Sequence, residues 1–267
     1  MSYKILFTDI DDTLLKNDLT ISDENTAAIK KAVSRGKKIV ICSGRGIFGI
    51  KKYIDALEIG NEGYVICLNG GAVYDCKTME VISENFLPKD CVKTICGLGL
   101  EFDIPTQGYY RDKLYIEKLT EVAKQYIERM GIEAVFVPSL ANYNASLSKI
   151  LFTWDHKKLT GICERLMPKI GGRVNMTFSK PEYLEFTSKE ATKGNAAANL
   201  CRMLGIPLNE AIAIGDGQND KSMIMRVGLG VAVANASQEL KDAADYITEN
   251  TNETHAVKEV IEKFLLA

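Results

Sequence analysis

The order of elements in this sequence predicts an α/β fold: a parallel sheet doubly wound with helices, interrupted by an inserted α+β unit. Three observations carry that prediction. Short apolar runs such as KKIVIC (37–42) and AIAI (211–214), bounded by polar residues, read as strands buried on both faces. They alternate with helix-length stretches, the βαβα order of a parallel sheet. Between residues 84 and 186 several strand pairs lie too close together for a helical crossover, which implies a mixed or antiparallel sheet with helices on one face. The parallel rhythm then resumes to the end of the chain.

Taken in order, YKILFTD (3–9) is the first buried strand, and it stops at the carboxylates Asp9, Asp11 and Asp12. Residues 14–21 (LLKNDLTI) carry a central Asn17-Asp18 pair between apolar flanks, the pattern of a small hairpin flap. Ser22 is placed to cap a helix through Val33, with Gly36 as its stop. The second strand, 37–42, ends at Ser43-Gly44-Arg45-Gly46, and a helix is expected over 47–57. A third strand, 64–68, ends at Asn69-Gly70-Gly71, and 72–74 with 79–82 form a hairpin.

The inserted unit opens with a helix over 88–100, followed by a polar and aromatic stretch, 106–117, with Tyr109, Tyr110, Arg111 and Tyr115. Helices over 119–130 and 156–170 and strands over 133–138, 148–154, 174–178 and 182–187 complete it. Aromatic residues on strands are more often core than contact, so Tyr109 and Tyr110 read first as packing. Glu185 could face a cleft. An Ala-rich helix over 192–204 then leads through Pro207 into a strand, 211–214, that ends at GDGQND (215–220). A helix through Arg226, a strand over 230–233, a helix over 239–244, a short strand over 246–248 and a closing helix over 253–265 follow.

Bulk properties exclude more than they assign. With 33 basic and 35 acidic residues, a net charge of −2, no basic stripe is available for nucleic acid. Only His156 and His255 are present, so a His-rich metal site is ruled out. The seven cysteines lack the C-x-x-C spacing of zinc or redox motifs, and Cys42 and Cys67 sit in apolar runs as small hydrophobes. No window is apolar enough to span a membrane, and MSYKILFTDI has no signal-peptide core. The expectation is a cytoplasmic protein, a monomer or small homo-oligomer, acting on a small molecule.

Four strand ends carry the chemistry: Asp9/Asp11/Thr13, Ser43/Gly44/Arg45, Asn69/Gly70 and Asp216/Asn219/Asp220, with Lys193-Gly194 opening a helix. In a parallel sheet all four ends share one edge, where open α/β sheets bind ligands. Asp9 and Asp11, two apart, are like charges that need a cation, a proton or strong donors. Hard oxygen ligands suit magnesium with substrate phosphate, and glycine turns leading into helices suit anions. A carboxylate beside magnesium and another two residues on could serve as nucleophile and general acid/base. Taken singly each motif has an ordinary explanation: a solvated Asp-rich turn, a solvated helix start at Lys193, helix caps at Asn219 and Asp220. Asn69-Gly70 is equally a hairpin turn or a substrate contact, and Arg45 reads as structural or rim. Together they indicate phosphoryl transfer.

In that order, each at a strand end or helix start, Asp9-x-Asp11-x-Thr13, Ser43-Gly44, Lys193 and Gly215-Asp216-x-x-Asn219-Asp220 resemble the four motifs of the haloacid dehalogenase (HAD) superfamily. The insertion, together with LNGG (68–71) and the tail GLGVAVANASQELKDAADYIT (228–248), resembles its Cof-type sugar-phosphatase branch. The resemblance implies a Rossmann-like core from residues 1–83 and 187–267 and a cap domain over 84–186, closing over the leaving group. It implies a magnesium-dependent phosphatase of small phosphorylated metabolites. Asp9 would be the nucleophile and Asp11 the acid/base. Ser43, Gly44, Lys193 and Asn219, with Asn69, would contact phosphate or substrate. Magnesium would be held by Asp9, the Asp11 backbone carbonyl and Asp216, with Asp220 as a ligand or just behind one. Two departures stand out: Asp12 where the family usually has Gly, and Thr254-His255 where relatives often carry Asp-Gly. A sugar-phosphate mutase or phosphotransferase, and a receiver-like phosphate sensor, remain as alternative readings.

Overall fold

The computed structural model describes residues 2–111, 113–130, 132–143 and 146–267. The chain forms two compact units, one holding the chain up to Arg45, Ile50–Ser83 and Thr192–Ala267, the other Gly46–Gly49 and Glu84–Ala191. The second unit thus runs past residue 186, because its last strand continues to Ser188 and a turn completes it.

The first unit begins with β1 (Ile5–Asp9), α1 (Asp23–Ser34), β2 (Lys38–Cys42), α2 (Lys51–Leu57), β3 (Gly63–Cys67), β4 (Ala72–Asp75) and β5 (Val81–Glu84). Ser22 caps α1 as its spacing predicts, its side chain accepting from the Asn25 amide. The flap is a tight antiparallel pair bridged at Leu15 and Ile21. The helix expected over 47–57 is instead a 3-10 turn (Ile47–Gly49) followed by α2. Gly49 lies in its first turn and Gly46 just before it, and Gly49 weakens helix formation there.

The second unit follows with α3 (Lys89–Glu101), β6 (Thr106–Tyr110), β7 (Lys113–Ile116), α4 (Glu121–Met130), β8 (Glu133–Phe136), β9 (Lys149–Thr153), α5 (His156–Ile170), β10 (Val174–Lys180) and β11 (Tyr183–Ser188). Its sheet runs β10-β11-β9-β6-β7-β8. Pairings are antiparallel except β7 with β8, the one pair joined through a helix. Ile150, Phe152, Leu184 and Phe186 project from one face into a core with Ile95, Leu159 and Leu166 of α3 and α5. Phe152 and Phe186 meet edge to face, centroids 5.0 Å apart. The other residue parity mixes polar groups with buried apolar side chains such as Leu114, Ile116 and Leu151. Tyr109 is buried with its hydroxyl on Gln107 Oε1 at 3.3 Å, and Glu185 takes Lys149 Nζ at 2.7 Å and Ser179 Oγ at 2.8 Å. Arg111 pairs with Glu84 at 3.5 Å.

The chain then returns to the first unit with α6 (Lys193–Leu204), β12 (Ala211–Gly215), α7 (Lys221–Ile224), β13 (Leu229–Ala232), α8 (Gln238–Ala243), β14 (Tyr246–Ile247) and α9 (Ala256–Val260), which runs on as a wider π turn to Leu265. Sheet order is β14-β13-β12-β1-β2-β3-β4-β5, parallel from β14 to β3. From β1 the chain steps to β2 and β3 on one side, then resumes at β12 on the other. The winding therefore reverses beside β1, the place where open α/β sheets bind ligands. β1 and β12 at that point are fully buried, as the apolar residues ILF and AIAI that open them require. The single closing helix expected over 253–265 is broken. Asn252–Thr254 form a 3-10 turn, and His255, at φ +74°, interrupts the chain before α9. A β-carbon disfavours that left-handed conformation, so a helix cannot run through it.

Candidate active site

Every sequence-predicted site residue lies in the first unit, on the loops leaving β1, β2, β3 and β12 and at the start of α6. Asp9 ends β1 in register with Cys42, so Ser43 begins the next loop alongside it. The chain then turns at once, with Ile10 O accepting from the amides of Leu14 (3.1 Å) and Leu15 (2.8 Å). That turn carries Asp11, Asp12 and Thr13. Thr13 Oγ1 donates to Asp216 Oδ1 at 3.2 Å, joining the β1 loop to the β12 loop.

Lys193 is the centre of the site. It is fully buried, and its ammonium donates to Asp9 Oδ1 and, at 2.6 Å, to Asp220 Oδ1. Two local devices place it. Thr192 caps α6 by accepting from the Asn195 amide. Gly70, at φ +103°, lets the β3 loop approach: a β-carbon there would sit 2.4 Å from the Thr192 carbonyl oxygen. Asp220 uses its other oxygen, Oδ2, to accept the amides of Asp216 (3.1 Å) and Gly217 (3.0 Å). Gly215 makes room for it, since a β-carbon there would lie 2.4 Å from the Asp220 carboxyl carbon.

Carboxylate oxygens of Asp9, Asp216 and Asp220 lie within 4.8 Å of one another. Burial raises Asp9 well above the usual carboxylate range; Lys193 opposes the rise and Asp220 and Asp216 add to it. Asp216 is pushed up to about 6, by burial first and then by Asp220, against the pull of Thr13 and Lys193. Lys193 itself is held protonated: its two carboxylates outweigh the burial that would strip its proton. A cluster of hard oxygens with excess negative charge fits a magnesium ion. Asp9 and Asp216 are the residues able to hold it, while both oxygens of Asp220 are taken by Lys193 and backbone amides.

This cluster has a pH signature. With metal chelated, folded Asp216 titrates near 6 against an ordinary value of 3.8, so the folded chain binds more protons between those values. Its contribution to stability therefore falls as pH rises through that window. Urea midpoints in EDTA between pH 4 and pH 6.5 are expected to show this component, and Asp216→Asn to remove it. Equal slopes in the two proteins would contradict the assignment.

The remaining loops interlock. Ser43 is buried, its Oγ accepting the Arg45 amide at 3.0 Å. Asn69, at φ +54°, donates its amide to Ser43 O (2.9 Å) and accepts Asn219 Nδ2 on its side-chain oxygen at 3.2 Å. Its side chain lies over Gly44, whose absent β-carbon would come within 3.2 Å of it. Asn69 and Asn219 thus brace each other across two loops. Asp11 stands apart from the Asp9 cluster's hydrogen bonds and is instead forked by Arg45, with Nε donating to Oδ2 at 2.9 Å and the terminal nitrogen to Oδ1. Arg45 also lies over the Tyr53 ring at 5.9 Å. Sequence reasoning set Arg45 as structural or rim; the fork makes it the partner of the expected acid/base. The available signal was its place directly after Ser43-Gly44, on the same sheet edge as Asp11.

The haloacid dehalogenase-like hydrolase family model matches residues 6–261. The chain belongs to the haloacid dehalogenase-like hydrolases. YxeH of Bacillus subtilis (strain 168) is 33% identical over 271 residues, 99% of each chain. The 5-amino-6-(5-phospho-D-ribitylamino)uracil phosphatase YwtE of the same organism is 29% identical over 276 residues, 94% of each. Among solved structures, a haloacid dehalogenase-like hydrolase from Bacteroides thetaiotaomicron superposes with a TM-score of 0.89 at 29% identity, covering 98% of this chain and 99% of its own. The HAD subclass IIB sugar phosphatase BT4131 shares the fold at a TM-score of 0.81 and 24% identity, covering 97% of this chain and 98% of its own. This HAD-family chain is thus an enzyme, a phosphatase of that superfamily, and the receiver-like alternative falls away. Among the described residues no helix is long and apolar enough to cross a membrane.

Proposed function

We propose that the protein is a magnesium-dependent phosphatase of small phosphorylated metabolites, sugar and polyol phosphates foremost, working through an aspartyl-phosphate on Asp9. The observation that carries this is the buried ammonium of Lys193 between Asp9 and Asp220, with Asp216 completing a carboxylate cluster where the sheet reverses its winding. The relative YwtE is named for a phosphorylated ribityl compound and the fold neighbour BT4131 as a sugar phosphatase, which supports the substrate class.

The roles follow from position. An Asp9 oxygen attacks phosphorus as the ester P–O bond breaks, and Asp11 in its protonated form delivers its proton to the departing alkoxide. Asp11, now a carboxylate, takes a proton from water; the water oxygen attacks phosphorus, and the Asp9–phosphorus bond breaks to release phosphate. Lys193, Ser43 and the Gly44 amide bind the phosphoryl oxygens, with preorganised donors already in place where charge spreads. Asn219, braced by Asn69, orients the phosphate from the opposite loop. Magnesium, held by Asp9, Asp216 and the Asp11 carbonyl, would supply charge neutralisation at the transferring group. Asp220 fixes Lys193 and the β12 loop.

Arg45 orients Asp11. Its planar fork grips the carboxylate at two points, a geometry that an ammonium cannot reproduce. Arg45→Lys is therefore expected to lower kcat/KM about tenfold by loosening the acid/base, with little change in thermal midpoint. Steady-state kinetics on p-nitrophenyl phosphate check this; full activity would remove Arg45 from the mechanism. The proposed function as a whole is tested by phosphate release from a panel of sugar and polyol phosphates, with magnesium and with EDTA. Magnesium-dependent release supports it, and conversion to an isomeric sugar phosphate without free phosphate would replace it with a mutase.

A further inference from the structure

The turn that carries Asp11 contains a strained residue. Asp12 is at φ +55°, a left-handed conformation in which a β-carbon crowds the following carbonyl. Such a residue persists only where its surroundings over-determine it. Its carbonyl oxygen accepts Asn235 Nδ2 at 2.8 Å. The other end of the same amide, Asn235 Oδ1, accepts the Asn252 backbone amide at 3.0 Å. A carbonyl can only accept and a backbone N–H only donate, so these two partners fix which way the Asn235 amide points. Asn252 in turn donates its side-chain amide to Leu15 O at 3.0 Å, at the far end of the turn.

Asn235 also sits on a rigid base. Its loop is bound to the end of β12, where Val233 N donates to Gly215 O at 3.1 Å and Ser237 N to Asp216 O at 2.9 Å. The Ala234 amide donates to Thr248 Oγ1 at 3.0 Å. One short loop therefore holds the backbone that presents Asp216 and, through a side chain, the backbone that presents Asp11.

We propose that Asn235 is a positioning residue for the reaction: by holding the Asp12 carbonyl it keeps Asp12 left-handed, and so fixes the direction in which the chain leaves Asp11. The proposal rests on the reading of Asp11 as acid/base, and it touches neither substrate nor the cluster around Lys193. It explains why an asparagine, with a donating NH2 and an accepting oxygen on a short stem, stands here: aspartate lacks the donor and alanine lacks both groups. Glycine at position 12 adopts a positive φ without strain, so a brace matters less there.

The test uses Asn235→Asp and Asn235→Ala, each in the natural chain and in an Asp12→Gly background, with Asp12→Gly as its own reference. In the natural background both variants are expected to lower kcat about tenfold, with KM changed less than about twofold. Amide exchange of Leu14 and Leu15, which close the turn on Ile10 O, should quicken by about tenfold while Leu6 and Phe7 of β1 keep their rates. In the Asp12→Gly background both effects should shrink below about twofold, a coupling that double-mutant analysis reads directly. A merely structural asparagine would speed exchange in β1 as well and lose as much in either background, which would overturn the proposal. Unchanged exchange at Leu14 and Leu15 would also overturn it. The exchange readout needs no turnover, so a chain that releases no phosphate would sink the proposed function while exchange still decides whether Asn235 braces the turn that carries Asp11.

Discussion

Asp9→Asn is expected to lower phosphate release by about 10⁴-fold or more while leaving the protein folded and close to its natural stability in EDTA. Both halves come from the same geometry. The substituted amide cannot form the aspartyl-phosphate, and the other donors at the site cannot replace a missing nucleophile. Yet Asp9 is a carboxylate that burial, Asp220 and Asp216 all disfavour, with only Lys193 in its favour. Removing that charge leaves Lys193 still paired with Asp220 at 2.6 Å and relieves the like-charge contact with Asp216. A change in stability of no more than about 1 kcal/mol, in either direction, follows, because an isosteric neutral group in place of a strained buried ion costs little. Turnover with a magnesium series and thermal midpoints in EDTA measure the two halves separately. Residual turnover above one-hundredth of the natural rate would mean that another residue attacks phosphorus.

Lys193→Met should show the opposite balance, losing both activity and stability. The ammonium is fully buried between two carboxylates, and a third lies in the same cluster. Its removal strands those charges without a partner, a class of change that costs about 3–5 kcal/mol. Turnover should fall about 10³-fold, the scale seen when a preorganised charge-stabilising donor is lost. The stability loss should be conditional in a way that identifies its cause. In EDTA at pH 7 the variant should unfold at markedly lower urea than the natural protein. Lowering the pH toward 5 should close much of the gap, because protonating Asp9 and Asp216, whose folded titrations already lie high, removes the repulsion. Added magnesium should close it at pH 7 by supplying the missing positive charge. A gap insensitive to both would show that Lys193 acts through packing rather than through the carboxylates.

Much of this protein was legible before any coordinates. The parallel sheet followed from apolar runs of four to six residues alternating with helices, because a strand covered on both faces is built mainly from apolar side chains. Asp9, Asp11, Ser43 and Asp216 were placed on one sheet edge by the same reasoning, since parallel strands end together, and Lys193 was read at the start of a helix. Ser22 announced the helix it caps, because that signal is a bond between near neighbours. The antiparallel unit was visible as strand pairs with no room for a crossover.

What sequence did not show were the contacts between residues far apart in the chain. Arg45 forks Asp11 across 34 positions, Asn69 braces Asn219 across 150, and Asn235 holds the Asp12 carbonyl across 223. Each depends on which loops the sheet order makes neighbours, and on backbone angles such as the positive φ of Asp12, Asn69 and His255 that no local preference demands. His255 likewise broke the closing helix, a strain set by the turn that packs against the flap, where Glu253 takes the Asn17 amide at 2.7 Å. Residue chemistry and spacing determined which groups meet at the end of the sheet. Only the tertiary structure decided which partner each one holds, because hydrogen bonds between loops are chosen by geometry at a range that sequence spacing does not encode.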